Sequence, residues 1–525
     1  MDEQSADSGR VTAVFIALIV LVSALAVAAP RAIWRVEHSA SKAGAAPQVP
    51  TTLPIVELWL STADRKLKLA QQPDIAATPR GSRPVDIAID LRKSYQTMVG
   101  FGAAMTDSSA WLLRNKLNAA QRKALLNELY GPPPHLNFNM MRLTVGSSDF
   151  SLNVYTLDDV FFGQSDPDLE HFNIASNRED LIPAVKEALA INPGLQIMAS
   201  PWTAPAWMKA NANVLGGELD ERYESVYADY LIKYLDAYRG QGIPIFALSL
   251  QNEPAFQPLS YPGMRLPAAT RARIVAQYLG PKLAKRYPRT QILEWDHNWS
   301  HPEQPLEVLS HPDAARYIDG VAWHCYEGNP YNQGKVHRAY PDKDVYMTEC
   351  SGGDWPSAAG GELLWFTRNL LITSIRQWAR GVIYWNLALD ENHGPHFGGC
   401  GLCKGVVQID SRTGQVSRND EYYALAHFSR FVLPEASRVQ STDTDADKGI
   451  PNVAFWNATD GSIVLVVANS HKSARSISVG EGLTRFNYTM PPQSVATFMW
   501  NPDKAAGLVR RAFWWVKRSL KTTSA

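Results

Sequence analysis

Eight short apolar stretches recur along the middle of this 525-residue chain, and nearly every one ends in polar or aromatic residues. They are VGFGAAMTD, MMRLTVGSS, QIMASPWT, IFALSLQNEP, QILEWDHN, GVAWHCYE, VYMTECSG and GVIYWNLAL. Helical patterns such as LIPAVKEALA, YADYLIKYLDAYR, RIVAQYLGPKLAKRY and WFTRNLLITSIRQWA separate several of them. Eight strand–helix units predict an α/β fold, a (β/α)8 TIM barrel over residues 94–432. In such a barrel the carboxyl ends of the strands converge on one mouth. Asp107, Arg142, Trp202, Glu253, Asp296, His324, Glu349 and Trp385 stand at those ends.

Two of these ends carry the chemistry. The strand Ile245–Leu250 runs into Gln-Asn-Glu-Pro, with Pro254 stopping it and Glu253 at its tip. VYMTEC delivers Glu349 in the same way. Two glutamates facing one mouth suit hydrolysis of a glycosidic bond, one as acid/base and one as nucleophile. As salt-bridged barrel residues they would have no reason to occupy matching strand ends.

Strand candidates outside the barrel lie at both termini. Ile55–Ala70 and Val85–Leu91 precede it, and VAFWNA, SIVLVVAN and SVATFMW follow it. The economical reading is one antiparallel β-sandwich built from residues 55–93 and 433–501. Residues 11–29 are apolar and uncharged, so residues 1–35 read as a signal peptide or membrane anchor, followed by a linker over 36–54. This predicts an exported protein, secreted or periplasmic. Residues 502–525 form a basic amphipathic tail. Leu508, Phe513, Val516 and Leu520 share one helical face opposite Arg510, Lys517, Arg518 and Lys521, a pattern suited to a membrane surface.

Composition excludes other classes. Hydrophobic content of 45% indicates a globular chain. Lys plus Arg equals Asp plus Glu, 51 each, which gives no reason to expect a nucleic-acid partner. No metal or phosphate motif is visible, so no cofactor and no metal are expected. Of the four cysteines, Cys400 and Cys403 form C-x-x-C in a glycine-rich loop, read as a local bridge or two free thiols. In an exported protein they should be bridged. Cys325 and Cys350 follow His324 and Glu349, and strand alternation turns them from the barrel axis as buried thiols.

The motifs VGFGAAMTDSSA, MMRLTVGSSDFS, ASPWTAPAWMK, LQNEP, GVAWHCY, TEC and WNLALDENHGP together make the chain resemble glycoside hydrolase family 30, the family of the glucosylceramidases. The resemblance implies Glu253 as acid/base, Glu349 as nucleophile and retention of anomeric configuration. It implies that Asn252 contacts the sugar 2-hydroxyl and that Arg142 hydrogen-bonds the nucleophile. Asp149 would grip distal hydroxyls beside Trp202 and Trp385, while His324 and Tyr326 line the mouth. Tyr261 matches with its spacing from Glu253 changed by one. The implied function is a retaining β-glucosidase of glucosylceramidase type, with β-xylosidase or β-1,6-glucanase as the alternative. A non-catalytic carbohydrate-binding protein would have lost a glutamate. The partner is a β-glucoside, glycolipid or oligosaccharide. The GGCGLC insert departs from the glucosylceramidase pattern and leaves the aglycone open. An acid/base also requires Glu253 to carry a proton near neutral pH, which predicts a raised pKa.

Overall fold

The computed structural model describes residues 53–356 and 361–502. The apolar N-terminal run and the basic tail lie outside the described residues. Among the described residues no helix is long and apolar enough to cross a membrane.

The chain enters through β1 (Ile55–Thr62), β2 (Ala70–Ala76), β3 (Thr78–Pro79) and β4 (Ile87–Thr97). The stretch from Ile55 to Ala70 is therefore not one strand. Arg65 and Leu69 take positive φ, 58° and 50°, and the chain doubles back so that β2 pairs with β1.

The barrel strands are β5 (Gly100–Ala104), β6 (Met140–Val145), β7 (Gln196–Pro201), β8 (Ala247–Ser249), β9 (Gln291–Asn298), β10 (Gly320–His324), β11 (Asp344–Glu349) and β12 (Ala379–Tyr384). All eight pair in parallel and close on themselves. Around them, helices bury apolar stripes against the sheet. The helix Glu224–Gly240, for example, buries Tyr227, Tyr230, Leu231, Tyr234 and Tyr238, at the three- and four-residue spacing of one helical face.

The barrel interior is layered. Met140, Met198, Ala247, Leu293, Ala322, Tyr346 and Ile383 form an apolar plug near the strand starts. Two residues further on, alternation brings Arg142, Ser200, Ser249, His324 and Thr348 to the same face, and all five are buried. The upper lumen is thus polar and enclosed, so each group there must find a partner.

After β12 come β13 (Ala388–Leu389), β14 (Val407–Ile409) and β15 (Val416–Arg418), a small separate sheet. The chain then returns to the first domain with β16 (Ser437–Ser441), β17 (Asn452–Trp456), β18 (Ile463–Asn469), β19 (Arg475–Glu481), β20 (Thr484–Met490) and β21 (Ser494–Trp500). One ladder runs β2-β1-β21-β18-β17-β16-β4-β19-β20-β3. All its pairings are antiparallel except β4 with β19. Irregular register between β16 and β4 bends the ladder, and its two halves close face to face. Phe486 on β20 meets Phe498 and Trp500 on β21, at centroid distances of 5.3 and 5.4 Å. This is a β-sandwich made from both chain ends.

His427, on the helix Asp420–Ser429, joins the two domains. Its Nδ1 lies 2.8 Å from Thr497 Oγ1 and its Nε2 2.9 Å from Ser61 Oγ, so β21 and β1 both hold it. Full burial pushes its pKa down to about 3. The unfolded chain binds a proton there below about 6.5 that the folded chain refuses. Stability contributed by this group is present above that value and is lost as pH falls toward 3. Replacing His427 with Gln should therefore flatten the acid-side decline of Tm between pH 6.5 and 4. An unchanged slope in calorimetric scans across that range would show that His427 is not responsible.

Candidate active site

The mouth is built on one buried anion. Asp296 is fully buried and receives five groups. Oδ2 accepts from Arg142 Nη2 at 2.8 Å and from Ser200 Oγ and Ser249 Oγ, each at 2.7 Å. Oδ1 accepts from Thr348 Oγ1 at 2.7 Å and from His324 Nε2 at 3.0 Å. Burial alone would raise its pKa, but Arg142, His324 and the hydroxyl donors hold it well below the ordinary carboxylate range.

Asp296 points inward against the strand's own alternation. Leu293 faces the lumen, so Trp295 should follow it and Asp296 should turn away. A bulge intervenes. Trp295 and Asp296 take φ of +75° and +53°, and the register with β10 shifts there. Strict alternation gives Asp296 no catalytic role in the sequence, although it stands at a strand end that converges on the mouth. Its place at the end of QILEWDHN was the available signal. Glu253, itself at φ +48°, donates its N–H to the Asp296 carbonyl at 3.0 Å. Positive φ at three non-glycine residues is strain concentrated at one point, a common mark of a functional site.

Arg142 spreads from Asp296 to the rest of the mouth. Its Nη1 donates to Glu349 Oε2 through a short charge-assisted bond, and its Nη2 also donates to Asn252 Oδ1 at 2.8 Å. The guanidinium packs 5.0 Å from the Trp202 ring centroid and 5.5 Å from that of Trp385, and the two indoles stack at 5.1 Å. Both tryptophans are buried. Tyr326 donates its hydroxyl to Glu349 Oε1 at 2.9 Å.

Glu253 faces two imidazoles. Its Oε1 is 3.0 Å from His324 Nδ1 and 3.7 Å from His297 Nε2. Burial opposes charge on His324, but Glu349, Asp296 and Glu253 outweigh it and raise its pKa to about 9, so both ring nitrogens donate. Burial drives His297 down to about 4. For Glu253 the expectation of a raised pKa fails. Burial raises it, yet the imidazoles and Arg142 together lower it below its ordinary value. Burial and then Glu349 and Glu253 push Asp149 well above the carboxylate range. The nearest oxygens of Glu253 and Glu349 approach within 4.8 Å of one another.

Asp149, Trp202, Trp385 and Tyr261 gather at one side. Tyr261 packs on the cluster of Phe150, Trp202 and Trp385 despite its altered spacing. The loop after β13 closes over Asp149. Phe397 N–H donates to the Asp149 carbonyl at 2.6 Å, and a Cβ on Gly399 would come within 2.5 Å of the Asp149 Cβ. All ten sequence-selected residues thus converge. Asp107 stands apart as support, accepting from Ser151 Oγ at 2.6 Å and Tyr155 hydroxyl at 2.8 Å.

Cys400 and Cys403 are joined, with Cα atoms 5.6 Å apart. Cys325 and Cys350 are buried as expected but are not free thiols. They form a second disulfide, with Cα atoms 5.3 Å apart. His324 and Glu349 are register partners on adjacent parallel strands, so the residue after each turns the same way. Two side chains turned from the axis on neighbouring strands are turned toward each other.

Replacing Asp296 with Asn leaves Arg142 and His324 with one anion fewer. Loss of one partner from a buried charge network should cost roughly 3–5 kcal/mol in urea unfolding. The His324 pKa should fall from about 9 toward its ordinary value, read by the ring proton shifts in NMR. In the unchanged protein, stability from His324 is complete below pH 6.5 and is lost as pH rises through 9. The variant should show a weaker alkaline decline, setting in at lower pH, because Glu349 and Glu253 remain beside His324. A His324 pKa unchanged in the variant would contradict the assignment.

Residues 98–432 match the Glycosyl hydrolase family 30 TIM-barrel domain, and residues 435–498 match the Glycosyl hydrolase family 30 beta sandwich domain. The chain is 36% identical over 431 residues to an endo-1,6-beta-D-glucanase of Neurospora crassa, covering 79% of this chain and 88% of that protein. It is 28% identical over 437 residues to lysosomal acid glucosylceramidase of Mus musculus, covering 79% and 83%. A solved endo-beta-1,6-glucanase structure superposes with a TM-score of 0.79 at 31% identity, covering 85% of this chain and 99% of that one. The chain belongs to glycosyl hydrolase family 30 and is a glycosidase, acting on a carbohydrate substrate.

Proposed function

We propose that the protein is a retaining endo-β-1,6-glucanase, with Glu349 as nucleophile and Glu253 as acid/base. The carrying observation is the approach of the two carboxylates within 4.8 Å. Retention calls for carboxyl groups roughly 5–5.5 Å apart, and inversion for roughly 6.5–9.5 Å.

In the first step a Glu349 oxygen attacks the anomeric carbon and Glu253 gives its proton to the leaving oxygen. Arg142 and Tyr326 hold Glu349 from both oxygens, which fixes the direction of attack. Asn252 has its carbonyl taken by Arg142, so its amide donors remain for the sugar 2-hydroxyl. Asp149 contributes its carboxyl to distal hydroxyls. Once the glycosyl ester forms, the charge of Glu349 is consumed. Glu253 is then more readily ionised, and it takes a proton from the water that cleaves the ester.

The glucan substrate is favoured over the glycolipid that the motifs alone suggested. The glucanase relative is 36% identical over 88% of its length, against 28% over 83% for the glucosylceramidase. The bridged loop at the mouth, the part that departs from the glucosylceramidase pattern, covers Asp149. Two disulfides fit a protein that matures in an oxidising compartment, so the exported reading is retained as part of the proposal.

Purified enzyme should cut linear β-1,6-glucan into products of mixed length and leave glucosylceramide largely intact. Release of glucose alone, or preference for glucosylceramide, would overturn the reading. Glu349→Gln should abolish turnover. Glu253→Ala should slow the glucan by at least ~100-fold, yet slow an aryl β-glucoside with an activated leaving group far less. Azide should partly restore the latter. Because Glu253 is held below its ordinary pKa, its protonated form declines as pH rises. Activity on the glucan should therefore peak on the acid side of neutrality, and a maximum above pH 8 would contradict the acid role.

A further inference from the structure

The loop that follows Glu349 borders a cavity of about 360 Å3. Tyr326 belongs to both places. Its hydroxyl holds Glu349, and its ring is one wall of the cavity. Trp355, Trp365 and Phe366 supply further aromatic wall, while Ser351 and Glu362 supply polar groups. Tyr326 and Trp355 are 43% and 39% exposed, whereas most aromatic residues around the mouth are buried.

The polar side of the cavity is a built one. Glu362 is buried, and its Oε1 accepts the Gly353 N–H at 2.5 Å. It faces Glu421, which is also buried. Gly352 lies against both, and a Cβ there would come within 2.1 Å of Glu421 Oε1 and 2.8 Å of Glu362 Oε1. Burial, and then the neighbouring Glu362, raise the Glu421 carboxyl well above its ordinary value. On the cavity wall, Ser351 and Glu362 offer hydrogen bonds to a ligand's hydroxyls. A lipid chain would make no hydrogen bond to Ser351 or Glu362. A sugar ring places its C–H face on an indole and its hydroxyls on such groups.

We propose that this cavity is a further subsite of the same active centre, which takes a glucosyl unit beyond the two that flank the cleaved bond, with Trp355 as its stacking platform. The proposal rests on the glucan reading. A chain held at Glu349 passes Tyr326, and the cavity is where its continuation finds an aromatic face and buried polar groups. Trp355 is a binding residue here and has no part in proton transfer.

The test uses the full enzyme and β-1,6-linked glucose oligosaccharides of increasing length. With the unaltered enzyme, kcat/KM should rise with length. Trp355→Ala should lower kcat/KM for the longest members roughly tenfold, largely through KM, and leave the disaccharide within about twofold. Trp355→Phe should restore most of the loss, and an unchanged Tm in Trp355→Ala would show that the fold is intact. An equal loss at every length, or no loss at any, overturns the subsite. Failure of the unaltered enzyme to cleave any member would instead overturn the glucan reading itself, and the substrate named here with it.

Discussion

The buried carboxylate of Asp296 is the constraint on which the mouth depends. An ionised group in a closed lumen is costly unless every lone pair is met, and here five donors meet it. Two of those donors are the cations that also reach the catalytic pair. Arg142 touches Glu349 and Asn252, and His324 touches Glu253. Asp296 therefore fixes two side chains whose other ends fix the reacting groups. It touches no sugar in this account and acts by positioning.

The same arrangement sets the electrostatics. His324 is charged because three carboxylates surround it, and that charge lowers Glu253 in turn. The usual picture of an acid catalyst raised by burial does not hold for the free enzyme. The cationic neighbours exceed the effect of burial. Their benefit appears in the second half of the reaction, when Glu253 must act as a base. The cost is a smaller protonated fraction at the start, and the acid-side optimum follows from it.

Much of this was legible in the sequence, for identifiable reasons. Each of the eight barrel strands is a short apolar run with a polar end, and that pattern survives without tertiary information. Glu253 and Glu349 stand out because both occupy such ends. The two-ended sandwich was legible because strand candidates stood at both chain ends, outside the barrel. What escaped depended on departures from regular geometry. The bulge at Trp295 and Asp296 re-aims a carboxylate that alternation sends outward. The Cys325–Cys350 bridge depends on the register between neighbouring strands, which one strand's pattern does not carry. The lowered pKa of Glu253 depends on His297 and His324, residues from two other strands.

The central claim is that Glu349, held by Arg142 and Tyr326, forms a covalent bond to the sugar. A 2-fluoro-2-deoxy-β-glucoside with an activated leaving group should form that ester and break it slowly. After brief exposure, peptide mass spectrometry should find one fluoroglucosyl group per chain, attached at Glu349. A group attached at another residue, or steady turnover with inverted product and no labelled enzyme, would contradict the account.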